Sequence, residues 1–473
     1  MGDGARLQPP SVAAARVAPM NSTHSAAATR AARETIAFNQ EPGVGFPRCG
    51  MTGGGRSAKD EVMAIEDPEA AVIGGGAAGI GAARRLREAG VKTLIVEARD
   101  RLGGRAWTVE VGGFAVDLGC GWLHSAERNP WTAIAERQGR TIDRTPPPWA
   151  CAAAQPAMTL EEAQEFRAAL WALHERVEAL ADGAPDRPAA DFLEPGGRWN
   201  ALLDAVSGFY SGAALARVSA RDLARYADDG VNWGVVEGYG AAIVAHAADL
   251  DVALGCAATR IAHSGPRLRI ETTRGTIEAE VAIVALPSAV LAAEESLFAP
   301  ALPDKLRAAA GLPLGADDKL FLSFADAGDF APDSRAFGDP TRAETATYQL
   351  RPFGRPLIEC YFGGALAAEL EKGGEAAFFD FARGELVGLY GADFGRRIAP
   401  LAHHGWSGDR FARGAYSYAL PGRADDRAAL AAPVDERLFF AGEACSREDF
   451  STAHGAYMTG IAAAEQAIKA LRR

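Results

Sequence analysis

Gly74-x-Gly76-x-x-Gly79, followed by Glu97 eighteen residues beyond Gly79, is the first pattern in this chain with chemistry in it. At that spacing the missing side chains permit a tight turn, close approach of a pyrophosphate and close packing of a helix on a strand. The pyrophosphate would rest on a helix N-terminus, where free N–H groups and the dipole favour an anion. Glu97 is placed to accept hydrogen bonds from ribose hydroxyls. The elements that must position these groups are a strand over residues 70–73, a helix over 77–89 and a second strand over 92–96, which together make a βαβ unit for a dinucleotide. NAD and FAD satisfy these residues equally.

Further motifs decide between them. Arg101-Leu102-Gly103-Gly104-Arg105 follows Glu97, then comes Asp117-Leu118-Gly119, and near the other end stands Phe440-Ala441-Gly442-Glu443. In these motifs the chain, from about Pro68 to its C-terminus, resembles the flavin-containing amine oxidase family, which includes monoamine and polyamine oxidases. The resemblance implies FAD rather than NAD, in one site built from both ends of the sequence. It implies cofactor contacts at Gly74, Gly76, Gly79, Glu97, Ala98, Arg99, Gly104, Arg105, Gly119, Gly121 and Trp122 on the N-terminal side. It implies others at Gly442, Glu443, Thr452, Tyr457 and Met458 near the C-terminus, and an adenine contact at Ala258. A helix starting near His454 would turn its positive end toward the flavin and stabilise the anionic reduced form.

The reactive groups follow from the same resemblance. Lys319, in Leu314-Gly315-Ala316-Asp317-Asp318-Lys319, matches the family's G-x-x-x-K strand, whose lysine reaches toward flavin N5 through a water. Without the family, a lysine opening an apolar strand is a solvated side chain. Gly414-Ala415-Tyr416-Ser417-Tyr418 and Gly455-Ala456-Tyr457-Met458 resemble the segments that set two tyrosines before the flavin, and Trp406 is grouped with them. Taken alone, aromatics here belong to a core. Two such rings would sandwich a substrate nitrogen and, by stripping its water, favour the neutral amine. Gly119-Cys120-Gly121-Trp122-Leu123-His124 and Ser451-Thr452-Ala453-His454-Gly455 resemble the polyamine oxidase branch, which implies a substrate-contacting His124. Ala415 stands where covalently flavinylated relatives carry cysteine, so the FAD is expected to be non-covalent.

Composition bounds the remaining classes. At 473 residues with 48% hydrophobic and 23% charged side chains, the chain exceeds one core, and two domains are expected. The net charge of −12 disfavours nucleic acid and suits cationic substrates. Six scattered cysteines without a CxxC pair argue against a disulfide scaffold, and no metal site is expected. No apolar run is long enough for a membrane span, and residues 1–62 read as a disordered tail or an early start, so a cytoplasmic enzyme without integral membrane association is expected. The oligomeric state is not readable.

The fold class expected is an α/β, Rossmann-like FAD-binding domain with an interleaved α+β substrate domain. The flavin domain is assigned residues 68–145, 230–296 and 397–473, and the substrate domain 146–229 and 297–396. The expected reaction is oxidation of an amine, a polyamine for preference, to an imine and then an aldehyde, with O2 reduced to H2O2. Two rivals are a desaturase or porphyrinogen-type oxidase on the same FAD domain, and a catalytically silent FAD-binding scaffold.

Overall fold

The computed structural model describes residues 67–150, 153–180 and 184–473, so the expected N-terminal tail lies outside the described residues. Short apolar runs form a parallel sheet in the order Leu438–Phe440, Val281–Val284, Ala70–Ile73, Thr93–Val96 and Val252–Ala253. The central strands are covered on both faces, as their unbroken hydrophobicity requires. Ala70 pairs with both Val281 and Thr93, which fixes the register around the glycine turn.

Helix Ala77–Glu88 leaves that turn and packs along the C-terminal helix Ala453–Leu471. Small residues set the closeness of both contacts. A Cβ on Gly79 would lie 1.8 Å from the Gly74 carbonyl oxygen, and one on Gly460 would lie 2.0 Å from that of Ala78. The two helices are thereby locked side by side, and the N-terminal residues of both line one cavity.

A second, antiparallel sheet runs in the order Ser334–Phe337, Thr347–Leu350, Leu357–Gly363, Asp317–Phe324 and Ile398–His404. Strand alternation divides its side chains. One face carries Leu320, Leu322, Ile358, Cys360 and Phe362 and is buried under helix Gly374–Tyr390. The opposite face carries Asp317, Lys319, Glu359, Tyr361, Thr347, Gln349 and Arg335, and it looks into a cavity. Helices Leu160–Glu178 and Asn200–Ser211 share a third core beside it, and the first of them starts with a Thr159–Glu162 capping box.

By sheet and core membership two of the expected domain borders shift. Residues 398–404 belong to the antiparallel sheet, and helix Pro303–Ala310 packs into the core beneath the parallel one. Among the described residues no helix is long and apolar enough to cross a membrane, and no cluster of ligands could hold a metal. The four described cysteines are free.

Candidate active site

The turn, the chain-end helix and the polar sheet face enclose one cavity of about 1230 Å³. At its nucleotide end, Gly74 adopts a φ of +106°, which favours glycine, whereas Gly76 needs no such freedom. A Cβ on Gly76 would meet nothing in the protein nearer than 3.9 Å, and the same is true of Gly442. Both line the cavity, so the space their missing side chains leave belongs to a ligand. Gly76→Val is accordingly expected to fold with near-native thermal stability yet purify with little FAD, as read from the ratio of flavin to protein absorbance.

Glu97 is 5% exposed and accepts from the backbone N–H groups of Gly75 at 2.7 Å and Arg99 at 2.8 Å. These contacts hold the carboxylate at the cavity wall beside Ala98, Arg99 and Ala258. Glu443 comes from the opposite chain end. It receives hydrogen bonds from Arg105 at 2.9 Å, Ser417 Oγ at 2.6 Å and the Ser451 N–H at 3.0 Å. Burial works against its charge, but Arg105, Ser417 and Arg427 overcome it and hold the carboxyl below the usual range. Gly104, Gly119, Gly121 and Trp122 also line the cavity; Gly79 does not, and serves the helix–strand contact instead. The residues present fit a dinucleotide carrying an extended polar chain.

At the other end, Lys319 is 6% exposed and its ammonium lies 2.9 Å from Glu359 Oε1. Room for it comes from Gly121, where a Cβ would sit 3.1 Å from Nζ. Tyr416 packs near Trp406, donates its hydroxyl to the Phe209 carbonyl and meets the Tyr361 hydroxyl at 3.0 Å. Trp406 is buried, donates from Nε1 to the Leu118 carbonyl at 3.0 Å, and forms part of the wall. His124 Nδ1 stands 2.6 Å from Asn232 Oδ1, which accepts a hydrogen bond from the Nδ1–H and leaves Nε2 with a free lone pair. Burial lowers the His124 pKa against the pull of Asn232, so the ring is neutral near pH 7.

Two expected site residues lie elsewhere. Tyr457 does not line the cavity; its ring fills the notch left by Gly81, whose Cβ would come within 2.7 Å of it, and packs 4.7 Å from Trp131. Its hydroxyl meets His246 Nε2 at 3.3 Å. Met458 is 47% exposed on the outside of the same helix and likewise leaves the cavity to Thr452, Ala453 and Ala456. The helix rotation, set by the Gly460–Ala78 contact, turns those small residues inward in place of the tyrosine. The tyrosine that does meet Tyr416 is Tyr361, on strand Leu357–Gly363, through their hydroxyls.

Tyr457→Ala is therefore expected to cost about 3 to 5 kcal/mol through the core hole it leaves, with amine kinetics of the folded fraction little changed. Tyr416→Ala should do the reverse, raising KM and lowering kcat at small cost in melting temperature. Thermal unfolding measured beside steady-state rates checks the pair.

Sequence reasoning missed Glu359, Tyr361 and Asp317. Asp317 is 3% exposed, and burial pushes its carboxyl well above the usual carboxylate range against the pull of the nearby Tyr416 hydroxyl. A sequence signal was present for Glu359, a charge alternating with Ile358, Cys360 and Phe362 in an otherwise apolar strand.

A family model described as flavin containing amine oxidoreductase matches residues 77–139 and 162–468. The chain is 30% identical over 445 residues to "Polyamine oxidase 2" of Arabidopsis thaliana, covering 86% of this chain and 89% of that protein. It is 31% identical to "Polyamine oxidase 3" of Oryza sativa subsp. japonica, over 84% of this chain and 89% of that one. Its fold is similar to that of cyclohexylamine oxidase from Brevibacterium oxydans IH-35A, with a TM-score of 0.68, 20% identity, and coverage of 86% of this chain and all of that structure. The chain belongs to the flavin-containing amine oxidoreductase family and is an FAD-dependent amine oxidase.

Proposed function

We propose that the protein oxidises a primary or secondary amine at its α-carbon to an imine, which water hydrolyses to a carbonyl compound and the released amine or ammonia. FAD, when bound, accepts the two electrons lost from the C–H bond and passes them to O2, giving H2O2. The observation that carries this reading is the convergence of Lys319, Tyr416, Tyr361 and His124 on the cavity whose other end is the glycine turn.

Each protein group has a part in it. Tyr416 and Tyr361 present an aromatic wall in which a substrate nitrogen loses its hydration and is favoured as the neutral amine, the form that can give up hydride. His124 Nε2 can accept a hydrogen bond from the amine N–H. The Lys319–Glu359 pair sets a fixed dipole at the reacting end without adding net charge. Glu443 and Glu97, each anchored by hydrogen bonds, orient the cofactor's hydroxyl-bearing segments. Within amines, the names of the relatives and the Gly119–His124 motif support a polyamine.

Anaerobic mixing with an amine panel should bleach the flavin, and air should restore it with one H2O2 per amine consumed. Acid precipitation should release the FAD into the supernatant, because Ala415 offers no thiol. A flavin that no primary, secondary or polyamine bleaches would return the protein to a desaturase-type or silent role.

A further inference from the structure

Across the polar face of the antiparallel sheet, charges are cancelled at one end and left over at the other. At the reacting end, Lys319 is paired with Glu359, and burial pushes the neighbouring Asp317 carboxyl toward its neutral form. Moving away from it, the side chains are Tyr361 and Thr347, then Gln349, and finally Arg335 on the edge strand, opposite Gln349 in register. Arg335 lies three strands from Lys319, ~14 Å at the usual interstrand spacing.

The Arg335 guanidinium is without a carboxylate among the described residues. Its Nε donates to Thr347 Oγ1 at 2.8 Å and its plane stacks on Phe337 at 4.4 Å, which fixes the fork in place. Among the described residues its two terminal nitrogens have no hydrogen-bond partner, and the residue lines the cavity. Helix Leu160–Glu178 lies over the same edge, with Phe166 against Phe337 at 5.9 Å, and adds a second cavity-lining cation, Arg167. Of the cavity-lining acids without a basic partner, Glu97 lies at the glycine-turn end, held by backbone N–H groups, and Asp228, Asp229 and Glu178 are exposed, where water and salt screen them. A fixed planar fork with free donors is the geometry that takes a carboxylate by paired hydrogen bonds.

We infer that Arg335 anchors a carboxylate at the far end of the substrate, so that the enzyme favours ω-amino carboxylates over polyamines. The inference rests on the amine-oxidation reading. A bound ω-amino carboxylate lays its amine against Tyr416 and its methylene chain along the sheet face, and extends its carboxylate to Arg335. Loss of hydride equivalent and a proton from the CH–NH2 end gives the imine, and water then releases ammonia and leaves an aldehyde at that end. The carboxylate is retained unchanged.

The test uses ω-amino carboxylates of increasing length, each beside the n-alkylamine and the α,ω-diamine of the same length, with kcat/KM measured on the FAD-loaded protein. The amino carboxylates should outrank both at one chain length. Arg335→Met should lower the ratio of amino carboxylate to alkylamine kcat/KM by about 10- to 100-fold, and Arg335→Lys should restore part of it. Straight-chain alkanoates, which cannot be oxidised, should bind the wild-type holoenzyme in calorimetric titration and lose that binding in Arg335→Met. Alkanoate binding that depends on Arg335, in a protein that oxidises no amine, would keep the anchor and discard the amine reading. Amine oxidation in which diamines lead, with the ratio unmoved by Arg335→Met and no alkanoate binding, overturns the anchor alone.

Discussion

Lys319→Met is expected to slow turnover by about 10- to 1,000-fold while FAD remains bound, because the ammonium acts at the reacting end of the cavity and holds no part of the nucleotide. The ion pair with Glu359 complicates the single substitution. Glu359 is itself mostly buried, and removing its partner strands a carboxylate in a poorly solvated place, with a cost in stability as well as rate. The informative comparison is Lys319→Met with and without Glu359→Gln. If Lys319 does chemistry, the double variant recovers the melting temperature and stays slow, in either the anaerobic reduction or the reoxidation by O2. Recovery of both would reduce Lys319 to the counter-ion of Glu359.

What could be read in advance was local. The glycine turn, Glu97 and the strand–helix–strand around them depend on residues within one βαβ unit, and each lies where the spacing demands. Lys319 and Tyr416 reached the cavity because each is fixed by its own strand or loop. Tyr457 failed for a reason that no single segment contains: the rotation of its helix is set by the fit of Gly460 against Ala78 and of Gly81 against the ring. A motif in sequence names a helix position but not which side of the helix meets the cavity. Tyr361, Glu359 and Arg335 were hidden in the same way, since pairing of strands separated by loops puts them beside Lys319 and Tyr416, and register is not visible in one strand.

Register also explains how the substrate's surroundings can differ from those the motifs imply. The motifs that mark the family lie on the glycine turn and the chain-end helix, at the end of the cavity that would hold the cofactor. The side chains that would discriminate among amines come from the antiparallel sheet, where alternation allows any polar residue on one face so long as the other stays apolar. Cofactor and fold are therefore constrained together, and the far end of the substrate cavity is free to vary.

Arg427→Met is expected to be the most damaging single change outside the cavity. Arg427 is wholly buried and forms a two-pronged pair with Asp222, Nε and Nη2 each 2.7 Å from a carboxylate oxygen, which ties helix Ala220–Arg225 to the segment after Tyr416. Its Nη1 also donates to Ser417 Oγ at 2.9 Å, and that hydroxyl in turn donates to Glu443. Removing the guanidinium leaves Asp222 charged and nearly unsolvated, at about 3 to 5 kcal/mol, and should lower the melting temperature by several degrees. A second effect separates this chain of contacts from packing alone. The Glu443 carboxyl is depressed by Arg105, Ser417 and Arg427 against burial, so it contributes stability that is present above its unfolded pKa and lost as pH falls through the folded one. Without Arg427 the folded pKa rises, and the acid limb of the stability profile should move to higher pH. Asp222→Leu combined with Arg427→Met removes the stranded charge and should recover most of the neutral-pH melting temperature, yet leave the acid limb displaced, since Glu443 still lacks Arg427. A double variant whose whole pH profile overlays the wild type would show that Asp222 and Arg427 brace the fold without reaching Glu443.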